Sequence, residues 1–153
     1  MIWDGLFGLT NILALAGWVA LAFLPRGPKI MALVLYVGVA LLCLIYAVLF
    51  ALLIGKAVDP GLVAGASGGG NFTSIAGIRS LFLSDAGIVI GWTHYLAFDL
   101  FVGLWIAKDA DNKGFSRMVQ LPFLFATLMA GPIGLLLWLF VREGRARRAA
   151  RQA

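Results

Sequence analysis

Long apolar runs alternate with short polar breaks along the chain. The first run extends from about Ile2 to Leu24 and stops at Pro25, Arg26, Gly27 and Pro28. A second, uncharged run from about Ile30 to Ile54 carries only Tyr36 and Tyr46 as polar aromatics. A third runs from Ala86 to about Ala107 behind Ser84 and Asp85, which form a helix N-cap signal. The fourth, from about Met118 to Val141, is interrupted by Gly131, Pro132 and Gly134, a pattern of a kink with close helix contact. Each run holds the roughly twenty residues that cross a bilayer core at ~1.5 Å rise per residue. Between the second and third, residues 55–73 form the longest break, and Ser74 to Leu83 places Ile75, Ile78, Leu81 and Phe82 at helical spacing with Arg79 opposite. The pattern predicts an all-α integral membrane four-helix bundle with a short interfacial helix before the third span. Its membrane domain is 1–141, with spans at about 2–24, 30–54, 86–107 and 118–141, and 142–153 is a basic tail.

Composition agrees with this reading, since 62% of the residues are hydrophobic, 12% are charged and the mean hydropathy is +0.99. That is too little charge to wet the surface of a soluble core, so lipid must cover it. The net charge of +5 does not indicate a nucleic-acid partner, because Arg142, Arg145, Arg147, Arg148 and Arg151 crowd the end of the chain, a placement that suits anionic lipid. Cys43 stands alone, which excludes an internal disulfide or a multi-cysteine metal site. Asp4 stands where a secretory signal carries a basic residue, so the first run is expected to be a retained helix. Gly68, Gly69 and Gly70 lack the lysine of a phosphate loop and read as a connector. The Asn71-Phe72-Thr73 sequon has meaning only in a glycosylating compartment.

Four crossings put both termini on one side. Lys56, Arg79 and the five tail arginines then oppose Arg26, Lys29, Lys108, Lys113 and Arg117, which predicts cytoplasmic termini in a cell inner membrane, or in a thylakoid or plastid membrane if the protein is organellar.

The third run carries the candidate chemistry. It holds the lone histidine, His94, and the one carboxylate deep inside an apolar run, Asp99. An acid at membrane depth costs about 2.5 to 3.5 kcal/mol on insertion scales, so it should face the bundle and find a partner there. At 100° per residue His94 and Asp99 lie at opposite edges of a polar, aromatic and small half of the helix, while Tyr95 and Asp99, four apart, can touch. Two readings stay open. Asp99 and His94 hold helices together through groups such as Thr10, Asn11 or Gln120, or they form a buried acid and base. Proton movement across the membrane is a third use of Asp99. A haem would take His94 as one axial ligand and Met118, Met129 or a second subunit as the other, but no cofactor is expected.

The run Trp92-Thr93-His94-Tyr95-Leu96-Ala97-Phe98-Asp99-Leu100-Phe101-Val102-Gly103, followed by Trp105-Ile106 and Asp109, resembles the signature of the ABA4-like membrane protein family. Gly131-Pro132-Ile133-Gly134-Leu135-Leu136 resembles its second motif, and Asn11, Trp18 and Pro25 fit its first helix. The resemblance implies a four-helix membrane protein linked in plants to neoxanthin formation from violaxanthin. That conversion opens an epoxide while a ring-adjacent proton leaves, so it needs an acid at oxygen and a base at carbon inside an apolar slot. Asp99 and His94 would serve as acid and base, and Asn11, Trp18, Trp92, Tyr95, Phe98, Phe101 and Trp105 as the substrate-binding wall. The expectation is a carotenoid-associated protein, isomerase-like toward a xanthophyll or another lipophilic polyene. The alternatives are a non-catalytic pigment-binding or assembly subunit and a small proton-coupled transporter. Membrane lipids and the polyene are the expected partners, with a homodimer plausible for so small a bundle.

Overall fold

The computed structural model describes residues 2–65 and 70–150, with side chains described through residue 144. Gly68 and Gly69 of the triple glycine, and the side chains of tail residues Arg145, Arg147, Arg148 and Arg151, lie outside the described residues. The described chain is helical: α1 (Ile2–Phe23), α2 (Pro28–Ile54), α3 (Ile75–Leu81), α4 (Asp85–Asn112) and α5 (Arg117–Ala150). Four of these, all but α3, are long and apolar enough to cross a membrane. The protein is an all-α membrane helix bundle.

Local chemistry sets the boundaries. Pro28 opens α2 at a first-turn position where its missing N–H costs nothing. Ser74 and Ser84 cap α3 and α4, each hydroxyl accepting from the N–H three residues on, Gly77 at 3.0 Å and Gly87 at 3.1 Å. Five residues beyond the expected end at Ala107, α4 ends at Asn112, and Gly114 follows with a φ of +67° that suits glycine. There the Gly114 N–H reaches the Asp111 carbonyl and the Phe115 N–H reaches that of Ala110, both at 3.0 Å, closing the helix end on itself. Within α2, residues Val34–Ala40 are wound as a π-helix.

At the centre stands α4, packed by α1, α2 and α5. Leu100, fully buried, is the knob of this packing: a side-chain carbon at Gly17 of α1 would lie 2.7 Å from it, and one at Gly38 of α2 3.0 Å. One turn on, Gly103 leaves room for the ring of Trp18 from α1. Glycines facing large side chains are how membrane helices approach closely without a hydrophobic driving force between them. The N-terminal end closes separately, with Trp3 packed beside Leu49, Ala86, Val89 and Ile90 and its indole N–H donating to the Asp59 carbonyl at 3.1 Å.

The fourth helix departs from expectation. Its backbone leaves helical geometry at Ala130 (φ −155°, ψ 66°), and beyond that point the chain turns back on itself. A side-chain carbon at Gly134 would overlap Thr127, 2.6 Å from its Cα, although residues seven apart in a straight helix are about 10 Å apart along the axis. Trp138 packs edge-on against both Phe123 (5.5 Å) and Phe115 (5.0 Å), and Arg142 reaches Asp109, near the same end of α4 from which α5 set out. The two arms, residues 117–129 and 131–142, are each about 20 Å long or less, short of a ~30 Å hydrocarbon core. Thus α5 is a re-entrant hairpin that enters and leaves at one end of the bundle. Pro132 sits in the first turn of the returning arm, where proline starts a helix instead of kinking one.

The expectation of both termini on one side is therefore corrected. Three helices traverse the bundle and the fourth reverses, so the N-terminus lies at one end and Arg142 at the other.

Replacing Gly134 with valine should open the hairpin and cost about 1–3 kcal/mol by overpacking, read as a lower unfolding midpoint in detergent. Gly8→Ala, inside α1 where the added carbon meets nothing within 4 Å, should leave the midpoint unchanged or raise it slightly, because alanine is favoured over glycine within a helix.

Candidate functional site

Asp99 lies about halfway along α4, and the hairpin tip comes to rest on it. Its side chain is 8% exposed, and its Oδ1 occupies the space that a side chain on Gly131 would fill. Only a glycine at the tip lets the backbone come this close. The other oxygen, Oδ2, is buried without a hydrogen-bond partner, one of two such side-chain atoms among the described residues, the second being Nη2 of Arg26. Tyr95, one turn back, lies beside the Asp99 carboxylate and near the backbone of Gly131. The spacing of four residues brings this pair together as the sequence suggested.

From Tyr95 a ladder of rings runs toward the N-terminal end of the bundle. The indole of Trp92 stacks on Tyr95 at 5.4 Å, lies 6.0 Å from Phe7, and donates to Asn11 Oδ1 at 3.1 Å. Asn11 in turn donates to the Phe7 carbonyl at 2.7 Å. The hairpin stops at the depth of Asp99, and toward the N-terminal end Trp92 is 38% and Phe7 40% exposed.

His94 is elsewhere. Some 140° around α4 from Asp99, it stacks on Phe98 (4.6 Å) and tilts against Tyr46 of α2 (5.5 Å), so the structure does not bring the expected acid and base together. Here His94 ends a groove of about 300 Å³, lined also by Phe50, Phe82, Ile90 and Gly91.

The remaining expected wall residues divide. Trp18 is buried in the helix contact at Gly103, and Trp105 lies under the Arg142 guanidinium (5.4 Å), where it seats the returning arm. Phe98 and Phe101 point outward, 56% and 47% exposed. Nor do Thr10 and Gln120 partner Asp99: Thr10 donates to the Phe7 carbonyl, and Gln120 bonds Asp111, Arg26 and the Phe115 carbonyl. Sequence reasoning missed two participants. Phe7 lies one turn before Asn11, on the same face, a spacing that could have found it; the Gly131 backbone had no signal beyond the glycine itself.

No group of three or more histidine, cysteine, aspartate or glutamate side chains gathers at metal-binding distance among the described residues. What the arrangement offers is a carboxyl and a phenol side by side at membrane depth, at the end of a row of aromatic side chains that includes one amide. Such a pair can give or take a proton at an apolar ligand.

Comparison with known proteins adds a family. The model described as ABA DEFICIENT 4-like matches residues 5–138, which takes in Asn11, the whole of α4 and the hairpin through Trp138. No curated protein and no solved structure matches the chain.

The buried Asp99 and the half-buried Asp109 should respond oppositely to neutral isosteres. Asp109→Asn, which weakens charge-assisted bonds to Lys113 and Arg142, should cost about 1.5–3 kcal/mol, read as a lower unfolding midpoint. Asp99→Asn, where an oxygen already lacks a partner, should fall within about 1 kcal/mol of the parent or above it. A large loss from Asp99→Asn would mark that residue as structural.

Proposed function

The chain belongs to the ABA4-like family, and from that membership and the geometry at Asp99 we propose that it acts on a carotenoid or similar lipophilic polyene by proton transfer. The observation that carries this reading is the carboxylate of Asp99, buried with Oδ1 beneath Gly131, Oδ2 without a protein partner and Tyr95 beside it. Asp99 does not bond a neighbouring helix through Oδ2, and leaving a buried acid oxygen without a protein partner costs stability, which favours a role beyond holding helices together.

In this reading the polyene lies along the exposed faces of Trp92 and Phe7, and Asn11 orients a polar group on its end ring. Asp99 and Tyr95 supply the proton that an opening epoxide oxygen takes up and receive the one that leaves carbon. The reaction is then an isomerisation, with one proton in, one out and no co-reactant. His94, on the other face of α4, is not the base.

A second reading has a specific observation behind it. The His94 groove is aromatic, apolar and large enough for part of a pigment, which suits binding without chemistry.

Expression in a carotenoid-producing host, with chromatography of extracted pigment, separates the two. Acid–base chemistry at Asp99 predicts an isomerised product that falls by about 100-fold or more with Asp99→Asn and less than tenfold with His94→Ala. Pigment bound without conversion, retained with Asp99→Asn and lost with His94→Ala, is the outcome of the second reading. Unchanged conversion with Asp99→Asn would refute the proposal.

A further inference from the structure

The reversal of α5 redistributes the charge of the whole molecule. Had α5 crossed, the tail would join Lys56 and Arg79, and the two ends would be nearly matched in basic residues. Because it returns, Arg142 lies at the end that already holds Arg26, Lys29, Lys108, Lys113 and Arg117, and the sequence beyond it adds Arg145, Arg147, Arg148 and Arg151. Ten of the twelve basic residues thus belong to the hairpin end, against two at the end that carries the N-terminus and the long loop. Acids do not offset this, since Asp109, Asp111 and Glu143 belong to the basic end and Asp4, Asp59 and Asp85 to the other, with Asp99 between them.

A bias of this size decides membrane orientation, because basic residues flanking spans are retained on the side of synthesis while acids contribute little. We infer that the protein crosses the membrane three times, with its hairpin end on the cytoplasmic side and its N-terminus and 55–84 segment outside, and that the basic end lies against anionic lipid headgroups. Negatively charged headgroups attract basic residues next to the ends of membrane helices, and here loops and tail present them together. The inference does not depend on the proposed reaction. It does place Trp92 and Asn11 in the outer leaflet half, opposite the basic end.

Cysteine labelling in native membranes tests the orientation. Cys43, on α2 in the apolar span, is replaced by serine, and single cysteines are introduced by Ala64→Cys in the long loop or Ala153→Cys in the tail. A membrane-impermeant maleimide applied to right-side-out spheroplasts should label the loop cysteine at once and the tail cysteine only after permeabilisation. Labelling of both from the same side would overturn the three-crossing arrangement. Labelling of the tail alone from outside would overturn the orientation. For the headgroup contact, lipid co-purified in mild detergent should be enriched in anionic phospholipid relative to the bulk membrane. That enrichment should fall in a variant with Arg145, Arg147, Arg148 and Arg151 changed to glutamine; a bulk-like composition in the parent would refute the contact.

Discussion

The carboxylate of Asp109 holds the molecule in its shape. It accepts from Lys113 Nζ at 2.8 Å, Trp138 Nε1 at 3.0 Å, and Arg142 Nε and Nη2 at 2.8 and 3.1 Å, so one acid gathers a cation from its own helix and two donors from the returning arm of α5. Charge-assisted bonds of this kind are strong and directional, and more so next to lipid than in water. A second cluster beside it joins the other loop: Arg26 donates to Asp111 and to Gln120, and Gln120 donates to Asp111. Together they tie the α1–α2 turn, the α4–α5 turn and both arms of the hairpin at one end. A helix that turns back in the membrane must be anchored where it enters and leaves, and this is where the polar side chains gather.

The site follows from the anchor by length alone. From Asp109, ten residues of α4 lead back to Asp99, about 15 Å, and the returning arm from Arg142 back to Gly131, eleven residues, spans a similar depth of about 16 Å. With the arm pinned at Asp109, the tip has to meet α4 near Asp99, and the Leu100 knob between Gly17 and Gly38 keeps that stretch of α4 from shifting. The burial of the Asp99 carboxylate is therefore a consequence of a rigid frame that brings a backbone turn onto its Oδ1. Past the tip lie the ring ladder of Tyr95, Trp92 and Phe7 and the Asn11 amide.

Much of this was legible in the sequence, and the illegible part has a definite cause. Apolar runs of spanning length gave the helices, Ser84 gave a cap, and the spacing of Tyr95 and Asp99 gave their contact, because each depends on residues near in the chain. The run around Gly131, Pro132 and Gly134 was read as a kink, and a kink and a reversal share the same local residues. What separates them is distant: Asp109 needs partners that only a returning Arg142 and Trp138 can supply. His94 was paired with Asp99 by motif, yet five residues turn a helix far enough to give each a different neighbour. Trp18 and Trp105 read as ligand wall but fill contacts with Gly103 and Arg142, since an aromatic side chain in an apolar run carries no mark of which surface it meets.

The hairpin is the claim on which site and orientation both stand, and a distance along α5 tests it most directly. Spin labels introduced at Met118 and Phe140, both outward-facing, in a Cys43→Ser background give that distance by pulsed electron resonance in lipid. Opposite arms of a hairpin with helix axes about 8–10 Å apart predict a separation below about 20 Å. A separation near 33 Å, the span of the intervening residues in a continuous helix at ~1.5 Å each, would contradict the account.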